Sequence, residues 1–174
     1  TTEIYTLSLH DALPIWWQDA RAAIVCVLEL DPGDHFNWYR AVILHLQVGD
    51  ETSYRKTWRE MLARFGDSDQ PEVLERIAKA GLLVPTLGAD LNDALALANR
   101  TIAGTERHSY YVYFLLAKTL AEFRGGNHAQ ATEWFTRCAP PRGVFPYDAF
   151  AYSLGGLIFH HLGRPQEAAK FLNL

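Results

Sequence analysis

Four glycines punctuate this sequence at nearly even intervals: Gly49, Gly88, Gly126 and Gly163, separated by 39, 38 and 37 residues. Each lies between two segments rich in apolar residues. Such a period in a chain of 174 residues points to a repeat architecture. In such an architecture one small unit cannot bury its apolar face alone and seals it against a neighbour. Other punctuation keeps the same beat. Apolar segments end at LELDP, ARFGD, TIAGT and RCAPP, and Pro32 to Gly66 spans 34 positions. Spacing within segments is helical: Val73, Ile77, Ala80 and Gly81 in one, Leu91, Leu95, Ala98 and Ile102 in another. Asp34, Asp90 and Asn127 stand where a side chain accepts the unpaired N–H groups of a helix start. Pro71 and Pro165 suit a first turn, which needs no N–H. No stretch alternates like a strand. The chain is expected to be all-α, built of helical hairpins with glycine in the turns.

The last unit, AFAYSLGGLIFHHLGRPQEAAKFLNL, carries Tyr152, the small Gly156, Phe159, the turn Gly163 and Ala168. Those residues and their spacing resemble the tetratricopeptide repeat, or TPR. DHFNWYRAVILHLQVGD, with Trp38 near its start and Gly49 at its turn, opens an earlier unit of the same kind. The resemblance implies that the hairpins stack as a short right-handed TPR-like solenoid, an α-α superhelix. In that family the first helix of each unit lines a concave groove. Carried over by position, the groove residues are Phe36, Tyr39 and Ile43 in one unit, and Phe150, Ser153, Leu157 and His160 in the last. The unit from Gln70 to Gly104 matches least. The joints LVPTLGAD and APPRGVFPYD exceed the minimal repeat.

The opening TTEIYTLSLHDALPI has neither a helical repeat nor the aromatic–small–aromatic ladder due there, and Pro14 stands where a first helix should finish. The string resembles the translated end of a common sequencing-library adapter, whose leftover T opens the TGG codon of Trp16. Residues 1–15 are therefore expected to be an assembly artefact on a metagenomic fragment. Residues 16–174 are expected to be the TPR-like repeat domain, truncated at both ends. Setting aside Glu3 and Asp11 leaves 18 acidic and 16 basic residues, a charge of −2 rather than −4. The helix Trp16–Leu30 then lacks its first-helix partner and should expose three or four large side chains.

Chemistry-bearing patterns are sparse. Hydrophobic residues make up 49%, the mean hydropathy is −0.10, and no apolar run approaches the roughly 18–20 residues that span a bilayer. The acidic balance lacks the basic stripe that nucleic acid calls for. Two cysteines, Cys26 and Cys138, sit in apolar stretches and should pack as small apolar side chains in a reducing, cytoplasmic setting. His160 and His161 are adjacent, so on a helix they point roughly 100° apart and do not form a zinc-type pair, which prefers i,i+4 spacing. Glu29 and Asp31 fall at a helix end. No GxSxG, Walker or GxGxxG string occurs, and the reading assigns no catalytic residue, metal or cofactor. Trp38, Trp58 and Trp134 are expected in the core. RHSYYVYF, from Arg107 to Phe114, has more large neighbours than one buried stripe accepts. Some of its rings must face outward or into a groove; plain packing between repeats is the first expectation for them, and a surface beside Arg107 and His108 able to grip an extended peptide is the second.

A second resemblance covers nearly everything after Trp16. WYRAVILHLQVGDETSYRKTWREMLARFGDSDQPEVLERIAKAGLLVP and TERHSYYVYFLLAKTLAEFRGGNHAQATEWF resemble the C-terminal helical region of planctomycete-type serine/threonine protein kinases. The chain has no Gly-rich loop, HRD or DFG segment, so the resemblance implies a setting and not kinase activity. The expected function is a protein-interaction scaffold that binds a protein or peptide ligand as part of a larger signalling protein. Two alternatives stay open. One is an all-α enzyme with its active site in the inter-repeat groove, recognisable by a polar cluster with perturbed pKa values converging in a pocket. The other is a purely architectural spacer.

Overall fold

The computed structural model describes residues 9–85, 88–138 and 143–172, and the side chains of residues 9–15, 145 and 172 are not described. Among the described residues the fold is all-α. The helices are α1 (Leu9–Leu30), α2 (His35–Gln47), α3 (Glu51–Phe65), α4 (Pro71–Leu82), α5 (Ala89–Ile102), α6 (Tyr111–Arg124), α7 (His128–Cys138), α8 (Phe145–His161) and α9 (Pro165–Leu172). They fall into two compact units, Thr1–Phe65 and Gly66–Leu174. In the first, α2 packs against both α1 and α3.

In the second unit the hairpins α4/α5, α6/α7 and α8/α9 follow in series, with α4 against α6 and α6 against α8. Each hairpin thus seals the flank of the next, the TPR-like order expected from the period. The unit that matched the repeat least is well packed: Val73, Leu74, Ile77, Ala78, Ala80 and Leu82 of α4 are all buried.

The period reappears in the backbone. Gly49, Gly88, Gly126 and Gly163 lie in the four hairpin turns with φ of 75°, 69°, 81° and 69°, a region glycine enters without a Cβ penalty. Three turns close with the same long backbone bond. The N–H of Asp50 donates to His45 O at 2.9 Å, that of Asn127 to Glu122 O at 2.9 Å, and that of Arg164 to Phe159 O at 2.9 Å. This pattern satisfies carbonyls that a helix end leaves unpaired. It also places His45, Glu122 and Phe159 at one register of the repeat. The carbonyls that end α4 are met differently, by Arg124 of α6, which donates to Leu82 O and Leu83 O at 2.9 Å each.

Helix starts agree with the sequence in part. Asp34 caps α2, its Oδ1 accepting the Phe36 N–H at 2.8 Å, and Pro71 and Pro165 open α4 and α9. Asp90, expected as a cap, lies inside the first turn of α5, because Gly88 takes the cap position. Asn127 precedes α7, and its side-chain amide donates to Glu122 Oε2 at 2.8 Å. The apolar stripe of α5 is rotated from the expected one. Ala94, Leu97, Ala98 and Thr101 are buried, and Leu91, Leu95 and Ile102 are half-buried at its edge.

Two further expectations change. The first helix does not begin at Trp16 but continues back through Pro14 to Leu9. A proline removes one N–H and crowds the carbonyl four residues earlier, a cost that weakens a helix without forbidding it. Residues 1–8 of the leader, parts of both long joints and the last two residues lie outside the described residues. Cys26 is exposed rather than packed, because it falls on the open side of α1, while Cys138 is fully buried. Also exposed on α1 are Trp16 (58%), Trp17, Val25, Val27 and Leu30 (86%).

Candidate functional site

The groove positions carried over to α8 share one open face. Phe150 is half-buried and Ser153, Leu157 and His160 are exposed, Leu157 at 49%. Their spacing of three, four and three residues puts them on one side of the helix, while Ala151, Leu154 and Ile158 on the other side are buried. The Ser153 hydroxyl donates to Ala149 O at 2.9 Å. Tyr152 and Phe159 lie against Phe171 of α9, and Phe159 and Phe171 stack with centroids 5.5 Å apart. Gly156 is buried, and Ala168 is buried on α9. A second small position was not foreseen. A Cβ on Gly155 would come within 2.6 Å of Phe135 Cζ and 3.1 Å of Phe171 Cγ.

On α2 the corresponding residues are all half-buried. Phe36 and Tyr39 touch at 6.1 Å, and the Arg40 guanidinium lies 4.4 Å from the Phe36 ring. Ile43 helps line an apolar hollow of about 450 Å³ with Ala20, Ala23, Ile24 and Val27 of α1. Trp38 and Trp58 are buried as expected, and the Trp38 indole N–H donates to Pro32 O at 2.9 Å.

A different feature of the first unit was missed. Between α1 and α3, floored by α2, runs a cleft of about 390 Å³ whose lining includes Val25, Leu28, Trp38, His45, Thr57 and Glu60. His45 is only 7% exposed, and its Nδ1 is buried with no hydrogen-bond partner. Burial pushes its pKa below the ordinary 6.5. The Asp50 carboxylate acts in the opposite direction, and Arg21 adds to the lowering. The signal for this cleft lay in the repeat register: a polar residue in the last turn of α2, where Phe159 stands in α8.

The second unit has a cleft in the same register. Lys118, Glu122, Gln130, Glu133, Trp134 and Arg137 line about 390 Å³ between α6 and α7. Here Trp134, expected in the core, is half-buried, with the Arg137 guanidinium 4.4 Å and Lys118 Nζ 5.7 Å from its ring. Lys118 also pairs with Glu122 and donates to Asn99 Oδ1 at 2.5 Å.

The crowded RHSYYVYF run divides as its density demands. Tyr110 is 49% exposed, Phe114 is fully buried, and Tyr111 accepts a 2.9 Å bond from Arg137. His108 bridges outward, 5.1 Å from the Phe114 ring and 3.7 Å from Glu72 Oε2. The His160–His161 pair diverges: His161 turns in against His128, centroids 4.0 Å apart, and Phe123. Among the described residues, no three potential metal ligands come together and no helix is long and apolar enough to cross a membrane.

No family model matches the chain, and no curated protein matches it. Among solved structures, the crystal structure of MamA is similar, with 18% identity, a TM-score of 0.49, and coverage of 96% of this chain and 92% of MamA. The helix pairing described above carries the fold, independently of that likeness.

Proposed function

We propose that this chain is a protein-interaction module whose open helix faces hold an extended peptide or a partner domain. One observation carries the reading. Helix α8 is two-sided, with Ala151, Leu154 and Ile158 buried and Phe150, Ser153, Leu157 and His160 on the open side. A hairpin needs only its buried side to fold, so an apolar Leu157 left 49% exposed between polar neighbours is surface available to a ligand. Helices already packed in series also lose little ordering entropy on binding. The formal charge of −4 suits a protein ligand rather than nucleic acid. The resemblance to the helical region of bacterial serine/threonine kinases supports a place in a larger cytoplasmic signalling protein.

The enzyme alternative draws on the His45 cleft, where polar groups converge on a perturbed imidazole. Yet Nδ1 of His45 has no hydrogen-bond partner, so no carboxylate orients the ring through that nitrogen. A base in a nucleophile–base pair is normally held by a third group on the nitrogen it does not use. Binding is the better reading.

The test is a scan of the full chain and its Leu157→Asp variant over an immobilised peptide array. Saturable binders that the variant loses, with its thermal unfolding shifted by less than about 0.5 kcal/mol, are the expected result. No saturable binder, or binders indifferent to Leu157→Asp, would overturn the reading.

A further inference from the structure

Helix α8 repeats α6. The matching turn bonds, Asn127 N–H to Glu122 O and Arg164 N–H to Phe159 O, set the two helices in register with a shift of 37 residues. By that shift the open residues Phe150, Ser153, Leu157 and His160 take the places of Tyr113, Leu116, Leu120 and Phe123. In α6 these places are covered by a helix. The Tyr113 ring meets Tyr147 near the start of α8, centroids 5.3 Å apart, and Phe123 meets His161 at its end, 5.8 Å apart. Leu116 and Leu120, between those rings on the same face, are 2% and 3% exposed. The two contacts join start to start and end to end, so α8 runs parallel to α6. The side of α8 turned inward is a stripe of Tyr147, Ala151, Leu154, Ile158 and His161, spaced four, three, four and three. Outward, α8 shows nearly what α6 shows to its neighbour: a ring, a leucine and a second ring, with Ser153 in place of the other leucine.

We propose that the open face of α8 receives an amphipathic α-helix of a partner polypeptide, laid parallel to α8 as α8 is laid on α6. The inference rests on the binding reading above and names the form of its ligand. Two observations favour a helix over an extended segment. An extended backbone brings N–H and C=O groups that need partners, whereas a helix satisfies its own. The face offers few partners, since the Ser153 hydroxyl already donates to Ala149 O at 2.9 Å. The open residues also recur at three, four and three, the spacing at which the side chains of one helix meet those of another. Helix α9 does not supply the cover, because its Phe171 lies on a different side of α8, against Tyr152 and Phe159.

The test uses the full chain labelled with ¹⁵N. The probe is a stapled helical peptide of alanine, lysine and glutamate that carries the inward stripe of α8, Tyr–Ala–Leu–Ile–His, at its natural spacing. The control keeps the stripe but has no staple and a central proline on its polar side, which breaks the helix. Saturable shifts at the backbone amides of residues 150–160 are expected with the stapled probe, and binding about tenfold weaker with the control. A nitroxide at the N-terminus of the probe should broaden the Phe150 end of α8 and spare the His160 end. Leu157→Asp should weaken binding about tenfold, and Ser153→Leu, which copies Leu116 of α6, should tighten it about threefold. No saturable shift with the stapled probe, equal affinity for the control, broadening at the His160 end, or no tightening in Ser153→Leu would overturn the inference. Array binders that need Leu157 yet stay non-helical when bound would overturn it and leave the binding reading standing. Probe binding indifferent to Leu157→Asp would overturn both. A dimer in sedimentation that Leu157→Asp converts to monomer would assign the face to a second copy and overturn the inference.

Discussion

Nη1 of Arg21 donates to Oδ2 of Asp50 at 3.1 Å, joining the middle of α1 to the first residue before α3. The same carboxylate accepts the Ser53 N–H at 2.9 Å, so Asp50 caps α3 while it holds α1. Replacing Arg21 by Ala removes only a half-exposed ion pair, a type of contact that contributes little. Replacing Asp50 by Ala removes both roles. Chemical denaturation should therefore rank Asp50→Ala as clearly more damaging than Arg21→Ala. The backbone N–H of Ser53, then its hydroxyl, hold the Asp50 carboxyl below its ordinary 3.8. A depressed carboxylate contributes stability that is present above about pH 3.8 and is lost as the pH falls through its lower folded value. Asp50→Asn should flatten that part of the acid limb. Equal denaturation midpoints for the two Ala variants would contradict the capping role.

His45 has the opposite charge type and the same direction of shift. Burial disfavours its protonated form, so the unfolded chain binds a proton more readily than the fold does. The fold favours the neutral imidazole over the protonated one, so the stability at stake is fully present above about pH 6.5 and is lost as the pH falls below that towards the folded-state value. Asp50, which faces it, moderates the loss, whereas Arg21 deepens it. Urea midpoints between pH 5 and 8 should decline on the acid side for the natural sequence and decline less for His45→Phe. A parallel decline in both would show that other groups carry the acid sensitivity.

Much of the architecture was legible because it rests on local chemistry. The turn glycines, the Asp34 cap, the prolines opening α4 and α9, and the buried stripe of α4 follow from φ, from unpaired N–H groups and from a period near 3.6. What was illegible depends on neighbours. Cys26 lies in as apolar a stretch as Cys138, yet only Cys138 has helices closing over it, with its Sγ 3.7 Å from Thr119 Oγ1. Trp134 looked like core by composition, but Arg137 one turn later and Lys118 on the facing helix draw its ring to the edge. The His45 cleft depends on how α1 and α3 are set against α2, which a sequence with degenerate spacing does not display.

Gly155 offers a test of packing that helix propensity alone would get backwards. Alanine in a helix interior is favoured over glycine by about 1 kcal/mol. Here the added Cβ would sit 2.6 Å from Phe135 Cζ. Phe135 has little room to yield, since its ring meets Phe159 at 6.2 Å and Phe171 at 5.3 Å, both edge-on. Overpacking of that kind costs about 1–3 kcal/mol. Gly155→Ala should therefore lose about 1 kcal/mol net, and adding Phe135→Leu should recover part of the clash. A thermal melt in which Gly155→Ala is stabilising would mean that α8 and α9 move apart easily.

Lys118 and Glu122 form an ion pair whose side chains are only 12% and 9% exposed, one turn apart on α6. Taking two charges out of water is costly, and their attraction offsets this only when further hydrogen bonds complete the site. The site is completed: Asn99 accepts from Lys118 at 2.5 Å, and Asn127 donates to Glu122 at 2.8 Å. Removing one partner strands the other, so Glu122→Leu should cost about 3 kcal/mol. Removing both with apolar residues of similar size leaves no stranded charge, and Lys118→Met with Glu122→Leu should be less damaging than Glu122→Leu alone. Four-way denaturation of the wild type, the two single variants and the double variant measures the coupling directly. Additive losses would mean that water reaches Lys118 once Glu122 is gone, and that this end of α6 is less enclosed than its burial implies.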